Sequence, residues 1–266
     1  MVEPLKGFFR SKEQREWIRL FDQYGKTERY RPMTIPFLSY IFQVTDSLSF
    51  VWQFKDIFVD EIYKFETMKK SPVIYDCGAN IGMSSIYFKR LYPGSKIKAF
   101  EADPQVVKIL ESNLSRSGYG DIEVINKAVW INNNGIEFSP DRSDGGSIYG
   151  KNGKIKVETL RLREWIEKEE EIDMLKIDIE GAEEDVIFDC KSSLYNIKNL
   201  FIEYHSWKDK DQKLGEILEI IQRNGFKYYL QTPFTKKTPF ISAGLNSKMD
   251  LQINIFAWKP NRDLNA

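Results

Sequence analysis

Histidine and cysteine are nearly missing from this chain of 266 residues: it has one histidine, His205, and two cysteines, Cys77 and Cys190. Two thiols so far apart in sequence exclude a scaffold built on disulfides. A surplus of either charge is also missing. The 39 basic and 39 acidic side chains cancel, so the chain as a whole does not steer toward nucleic acid or an anionic membrane. No apolar run is long enough to span a bilayer. The start, Met1 to Arg19, is charged and lacks the apolar segment of a signal peptide. No internal repeat and no second globular domain stands out. A cytoplasmic protein is the simplest reading, with one α/β domain and an appendage. Whether it forms a homodimer is open at this level.

Against these absences stands one well-marked stretch, Val73-Ile-Tyr-Asp-Cys-Gly-Ala-Asn-Ile-Gly-Met-Ser-Ser-Ile86. Val73 to Tyr75 is the short apolar run of a buried parallel strand. Gly78 and Gly82 follow, and then apolar residues at helical spacing to Leu91. A strand entering a helix through a glycine turn brings backbone N–H groups close to a ligand. The turn departs from the G-x-G-x-x-G fingerprint, and Asp76 stands two residues before its first glycine. That carboxylate would repel a pyrophosphate and welcome a cationic ligand, and S-adenosylmethionine fits, with its sulfonium, free amine and ribose. The bland alternative is a surface turn with Asp76 as a helix cap.

Ser11 to Tyr24 has the pattern of an amphipathic helix, which Pro32 and Pro36 stop from continuing. Tyr40-Ile-Phe-Gln-Val-Thr is strand-like, and Phe50 to Tyr63 is helical in period. Residues 1–70 are therefore expected to form a mainly helical cap over one edge or the mouth of the sheet; the functional alternative is that part of it, with Tyr30, Arg31 or Gln53, forms a lid over the ligand. Strands are expected at Lys96–Phe100, Ile122–Asn126, Met174–Asp178, Leu200–His205, Phe226–Leu230 and Leu251–Trp258, with helices between most of them. This alternation implies right-handed crossovers on a mostly parallel sheet in residues 71–266. Between Gly135 and Thr159, Asn and Gly dipeptides separate β-prone runs and read as an inserted hairpin with its tip at Asp141–Ser147. Glu101, at a strand end roughly 20 residues beyond Gly82, is placed to hold ribose hydroxyls.

Asp76-Cys-Gly-Ala-Asn-Ile-Gly82, Phe100-Glu101-Ala-Asp-Pro104, Lys176-Ile-Asp-Ile-Glu-Gly-Ala-Glu183 and Phe201-Ile-Glu-Tyr-His205 occur in order. With them the chain resembles the FkbM family of S-adenosylmethionine-dependent methyltransferases, over roughly Asp46 to Trp258. The resemblance implies a class I (Rossmann-like) methyltransferase sheet of seven strands in the order 3-2-1-4-5-7-6, the last strand antiparallel. It implies O-methylation of a hydroxyl on a small-molecule or glycan acceptor, commonly a sugar or a secondary metabolite. By position, Asp76, Gly78, Asn80 and Gly82 would line the methionine and sulfonium end of the cofactor. Glu101 would hold the ribose, with Ala102 and Asp103 near the adenine, and Asn126, Lys127 and Ala128 at the exit where adenine rests. Asp178 and Glu180 would face the transferable methyl. One departure is Leu160-Arg-Leu-Arg-Glu, where the family often has Leu-Asp-Asp; it reads as a change of helix cap.

A sugar hydroxyl is a weak nucleophile at neutral pH, so a base or a metal is expected. His205, at a strand exit beside Asp178 and Glu203, is equally placed as the base or as a structural imidazole. Asp178 is expected as a ligand of the cofactor amine or the acceptor. Asp178, Glu180 and Glu203 could instead gather a hard cation such as Mg²⁺, and Lys176 is expected to pair with one of these carboxylates. Two other readings stay open. An NAD-dependent oxidoreductase would also place Glu101 on ribose, although Asp76, the missing middle glycine and the lack of a helical Tyr-x-x-x-Lys pair disfavour it. A non-catalytic cofactor-binding protein would keep the turn and lack a base.

Overall fold

The computed structural model describes residues 10–139, 153–208, 210–233, 238–241 and 249–260. Helix α1 (Lys12–Tyr24) begins with a reciprocal cap: Gln14 N–H donates to Ser11 Oγ, and Ser11 N–H donates to Gln14 Oε1. It is followed by β1 (Met33–Phe37), β2 (Tyr40–Val44) and α2 (Ser47–Phe54), which continues into a π-helical turn, Lys55–Val59. Then come β3 (Val73–Cys77), α3 (Met83–Leu91), β4 (Lys96–Phe100), α4 (Pro104–Arg116), β5 (Glu123–Ile125), β6 (Ala128–Trp130), β7 (Ile136–Phe138), β8 (Ile155–Val157) and β9 (Thr159–Arg161). The chain goes on through α5 (Leu162–Ile166), β10 (Ile172–Ile177), α6 (Glu183–Cys190), β11 (Ile197–Trp207), α7 (Leu214–Arg223), β12 (Lys227–Gln231) and β13 (Met249–Trp258). Among the described residues no helix is long and apolar enough to cross a membrane.

The main sheet has seven strands in the order β12-β13-β11-β10-β3-β4-β5. Strands β11, β10, β3, β4 and β5 run parallel, and β13 is antiparallel to both of its neighbours. In order of appearance among the sheet strands this is 3-2-1-4-5-7-6, as the resemblance implies. Alternation along each strand divides the core into two layers. Ile74, Ile97, Ala99, Met174 and Phe201 pack with α3, α4 and the cap, while Tyr75, Cys77, Phe100, Leu175, Ile177 and Ile202 pack with α5, α6 and α7.

The N-terminal segment shares the first of these layers. Leu20, Ile35, Phe42, Val44 and Phe50 belong to the same apolar cluster as Ile74 and Phe88. Phe37 sits at its centre, edge-on to Phe42, Phe50, Phe54 and Phe58 at 5.0–6.0 Å, and each such pair adds about 0.5–1.5 kcal/mol beyond burial. The expected mainly helical cap thus contains a β-hairpin, β1–β2. Pro36 lies within β1, which a two-stranded edge tolerates because no second neighbour needs its N–H.

The insertion after β5 is more strand-rich than expected. Strands β7 and β8 form the antiparallel hairpin, and β6 and β9 pair in parallel beside it. The expected tip, Asp141–Ser147, lies outside the described residues. Arg161, in the departure from the family pattern, stands at the N-cap of α5 without capping it. Its guanidinium instead grips Asp189 of α6 through two hydrogen bonds of 2.9 and 2.6 Å, a bidentate clamp between adjacent helices.

Candidate active site

Backbone shape builds the turn after β3. Gly78, Asn80 and Gly82 take φ of 80°, 47° and 97°, and asparagine is among the few side chains that tolerate this region. A Cβ on Gly78 would come 1.7 Å from the carbonyl oxygen of Asp178, so glycine alone lets the exits of β3 and β10 meet. Gly82 serves packing instead. A Cβ there would lie 2.8 Å from Leu110 Cδ1 of α4, and Gly82 does not line the cavity described below.

Asp76 lies just ahead of the turn, at the end of β3. Its side chain has no accessible surface. It accepts 2.6 Å hydrogen bonds from Ser84 Oγ and Ser85 Oγ, and Lys176 Nζ lies 3.3 Å away. Lys176 is its direct neighbour across the β3–β10 ladder. That ammonium also lies 3.6 Å from Asp178 Oδ2 and donates to the Gly78 carbonyl at 2.9 Å. Burial alone would lower the Lys176 pKa, but Asp76 and Asp178 outweigh it and raise it. Asp76 is thus held beneath the turn by two hydroxyls on Oδ2 and an ammonium beside Oδ1, which makes no hydrogen bond among the described residues.

A cavity of about 840 Å³ opens over the C-terminal ends of the parallel strands. One wall holds Gly78, Asn80, Glu101, Ala102, Asp103, Ala128, Val129 and Phe138; the floor holds Lys176, Asp178, Glu180 and Glu203. The opposite wall comes from the cap and from β13, with Trp52, Gln53, Asp56, Tyr63, Gln252 and Asn254. Of the expected site residues, Asp76, Gly82, Asn126 and His205 do not line the cavity. Asn126 positions the β4 exit, donating to the carbonyls of Glu101 and Ala102 at 3.0 and 3.2 Å. Of the expected lid residues Gln53 lines the cavity, and Arg29 does so in place of Tyr30 and Arg31.

Glu101 accepts the N–H of Asn80 on one oxygen and that of Asp103 on the other, both at 2.9 Å. Burial pushes its pKa up to about 7 despite these bonds. Asp103 caps α4 by accepting from Gln105 N–H at 2.7 Å.

Glu183 organises the loop between β10 and α6, a role its place in the sequence motif did not reveal. Its buried carboxylate accepts the N–H of Ile179 at 3.0 Å and that of Gly181 at 3.0–3.1 Å. The same carboxylate meets His205 Nδ1 at 3.2 Å. Burial would lower the His205 pKa, yet Glu183 overrides this and holds it well above the ordinary value. With Nδ1 engaged by Glu183, Nε2 is the ring nitrogen left for the expected role as a base. The expected cation set changes. One potential ligand atom each from Asp178, Glu203 and His205 lies within 4.8 Å of the others, with His205 standing where Glu180 was expected. Tyr63 was also missed. It is buried on the cavity wall, 5% exposed, and burial, with Asp178 and Glu203 nearby, raises its pKa far above the ordinary value. Its only sequence signal was an aromatic residue just before the first sheet strand.

A seven-stranded sheet of this order, with a glycine turn after its first strand and an acidic cavity over the strand ends, defines a class I methyltransferase fold. Residues 76–228 match the model of the Methyltransferase FkbM domain, more than half of the chain, and the protein belongs to that family of methyltransferases. It is 32% identical over 170 residues to 2-O-methyltransferase NoeI of Sinorhizobium fredii, covering 56% of this chain and 67% of the relative. It is 24% identical over 204 residues to the hexuronic acid methyltransferase AglP of Haloferax volcanii, covering 73% and 82%. A crystal structure of methyltransferase FkbM from Methylobacillus flagellatus aligns with a TM-score of 0.47 at 17% identity, covering 72% of this chain and 45% of that one.

Proposed function

We propose that the protein is an S-adenosylmethionine-dependent O-methyltransferase of the cytoplasm. Its acceptor would be a hydroxyl of a sugar, a glycan or a glycosylated secondary metabolite. The observation that carries this reading is the division of the cavity. One side offers Glu101 beside the apolar Val129 and Phe138, and the floor offers Asp178, a set suited to ribose, adenine and an amine. A diphosphate there would face Glu101, Asp178, Glu180 and Glu203 together. The other side offers an aromatic face, Trp52, and the amides of Gln53, Gln252 and Asn254. Asn254 Oδ1 is buried without a hydrogen-bond partner among the described residues, which suits a polyol able to donate to it.

S-adenosylmethionine supplies a methyl group carried on a sulfonium. The residues of this chain must then hold the acceptor oxygen in line with that methyl and keep water out, and such positioning supplies much of the rate. Asp178, whose carboxylate lies 3.6 Å from the Lys176 ammonium, is placed to orient the donor amine or receive the acceptor proton. The name of the relative AglP, a hexuronic acid methyltransferase, supports a sugar acceptor. Incubation with S-adenosylmethionine and a panel of nucleotide sugars and glycans, read by mass spectrometry, should give a methyl increment on a hydroxyl-bearing acceptor. A methyl increment on nitrogen or carbon acceptors alone would reject the O-transfer reading.

A further inference from the structure

Three side chains from two neighbouring strands converge at the floor of the cavity, Asp178 and Glu203 lining it and His205 behind them. Asp178 follows the last residue of β10, while Glu203 and His205 stand two apart on β11 and so share a face. Each can offer an atom to a shared cation, His205 by giving up the proton of Nε2 as the cation binds. The Asp178 carboxylate makes no hydrogen bond there and approaches only Lys176. Glu203 uses one oxygen for the amide of Gln252 and leaves the other open. His205 spends Nδ1 on Glu183, and its Nε2 comes no nearer than 3.8 Å to Glu180, too long for a hydrogen bond. His205 as a residue is only 5% exposed. One atom from each of the three already lies within 4.8 Å of the other two.

We propose that Asp178, Glu203 and His205 Nε2 bind a divalent first-row transition cation, with Glu183 as the positioning residue for His205. An all-oxygen set would suit Mg²⁺. An imidazole nitrogen moves the preference toward Mn²⁺, Fe²⁺, Co²⁺ or Zn²⁺. Ligating histidines almost always present their other ring nitrogen to a carboxylate or carbonyl that fixes the ring. Glu183 does this here, itself fixed by the N–H groups of Ile179 and Gly181. Asp178 and Glu203 line the cavity, so a cation they hold would border it. That an acceptor hydroxyl would reach that cation rests on the proposed methyl transfer; the metal site itself does not.

The test uses the full chain, stripped of metal by chelation and titrated with MnCl₂, with free Mn²⁺ read by electron paramagnetic resonance. The expected result is one Mn²⁺ per chain, not displaced by Mg²⁺ at about tenfold excess. Glu203→Gln and His205→Gln should each weaken binding at least about tenfold, and Glu183→Gln about 10- to 100-fold. Calorimetry with S-adenosylmethionine on the same samples reports whether each variant is folded. Should His205→Gln fail to fold, the nearly isosteric Glu203→Gln carries the test. A wild-type chain that binds S-adenosylmethionine but no Mn²⁺ overturns the metal site and leaves the methyl-transfer reading standing. Mn²⁺ binding indifferent to His205→Gln, or equal displacement by Mg²⁺, overturns it as well. Mn²⁺ binding of the expected pattern without S-adenosylmethionine binding would sink the methyl-transfer reading alone.

Discussion

The carboxylate of Glu101 joins two loops, the glycine turn through Asn80 and the α4 start through Asp103. In the free protein its pKa is pushed up to about 7, whereas a ribose diol is held best by the ionised form. Below that pH a bound donor must displace a proton. S-adenosylmethionine affinity is therefore expected to rise between about pH 6 and 8 and then level off, by calorimetry in matched buffers. Glu101→Gln should remove this dependence and weaken binding by ~1.5–3 kcal/mol, the usual worth of hydrogen bonds to a charged group. Two glycines with the same φ of 80° offer a second test. A methyl group added at Gly118 would meet nothing within 4 Å, whereas one at Gly78 would meet the Asp178 carbonyl at 1.7 Å. Gly118→Ala should cost only about 1 kcal/mol of backbone strain. Gly78→Ala should cost more than ~3 kcal/mol in denaturant melts, because the β3 and β10 exits would have to part.

At the scale of elements, the cap is tied to the cofactor turn by one buried side chain. Asn113 of α4 donates to the carbonyls of Gln43 in β2 and Ile81 in the turn, both at 3.0 Å, and accepts the Gln43 N–H at 2.8 Å. Asn113→Ala strands these backbone groups and should lower stability by about 2–4 kcal/mol in urea denaturation. The cap also contributes Trp52 and Gln53 of α2 to the cavity wall. Trp52 packs on Trp17 and Phe21 at 6.1 and 6.0 Å and is still 44% exposed. Trp52→Leu keeps much of that packing and removes the aromatic face. It should raise the acceptor KM by up to about tenfold, equivalent to ~1.4 kcal/mol, and leave the S-adenosylmethionine Kd unchanged. An equal loss in both constants would place Trp52 on the donor side.

For the molecule as a whole, the sheet was legible because its central strands are buried on both faces and read as short apolar runs between helical periods. The position of Glu101 at a strand end beside the glycine turn was legible for the same reason, being fixed locally. What escaped the sequence depends on partners far along the chain. Lys176, whose ammonium stands beside Asp76, lies on another strand, and Glu183 gains its meaning only when β11 brings His205 beside it. Strand β1 was hidden by Pro36, and the β6–β9 ladder by the insertion that separates its halves. The acidic cavity over β3 and β10 is proposed to take a sulfonium donor and refuse a diphosphate. Isothermal calorimetry of the full chain with S-adenosylmethionine, S-adenosylhomocysteine and NAD tests it most directly. One-to-one binding of the first two with no heat from NAD is the predicted result, and saturable NAD binding with none of S-adenosylmethionine would contradict the account.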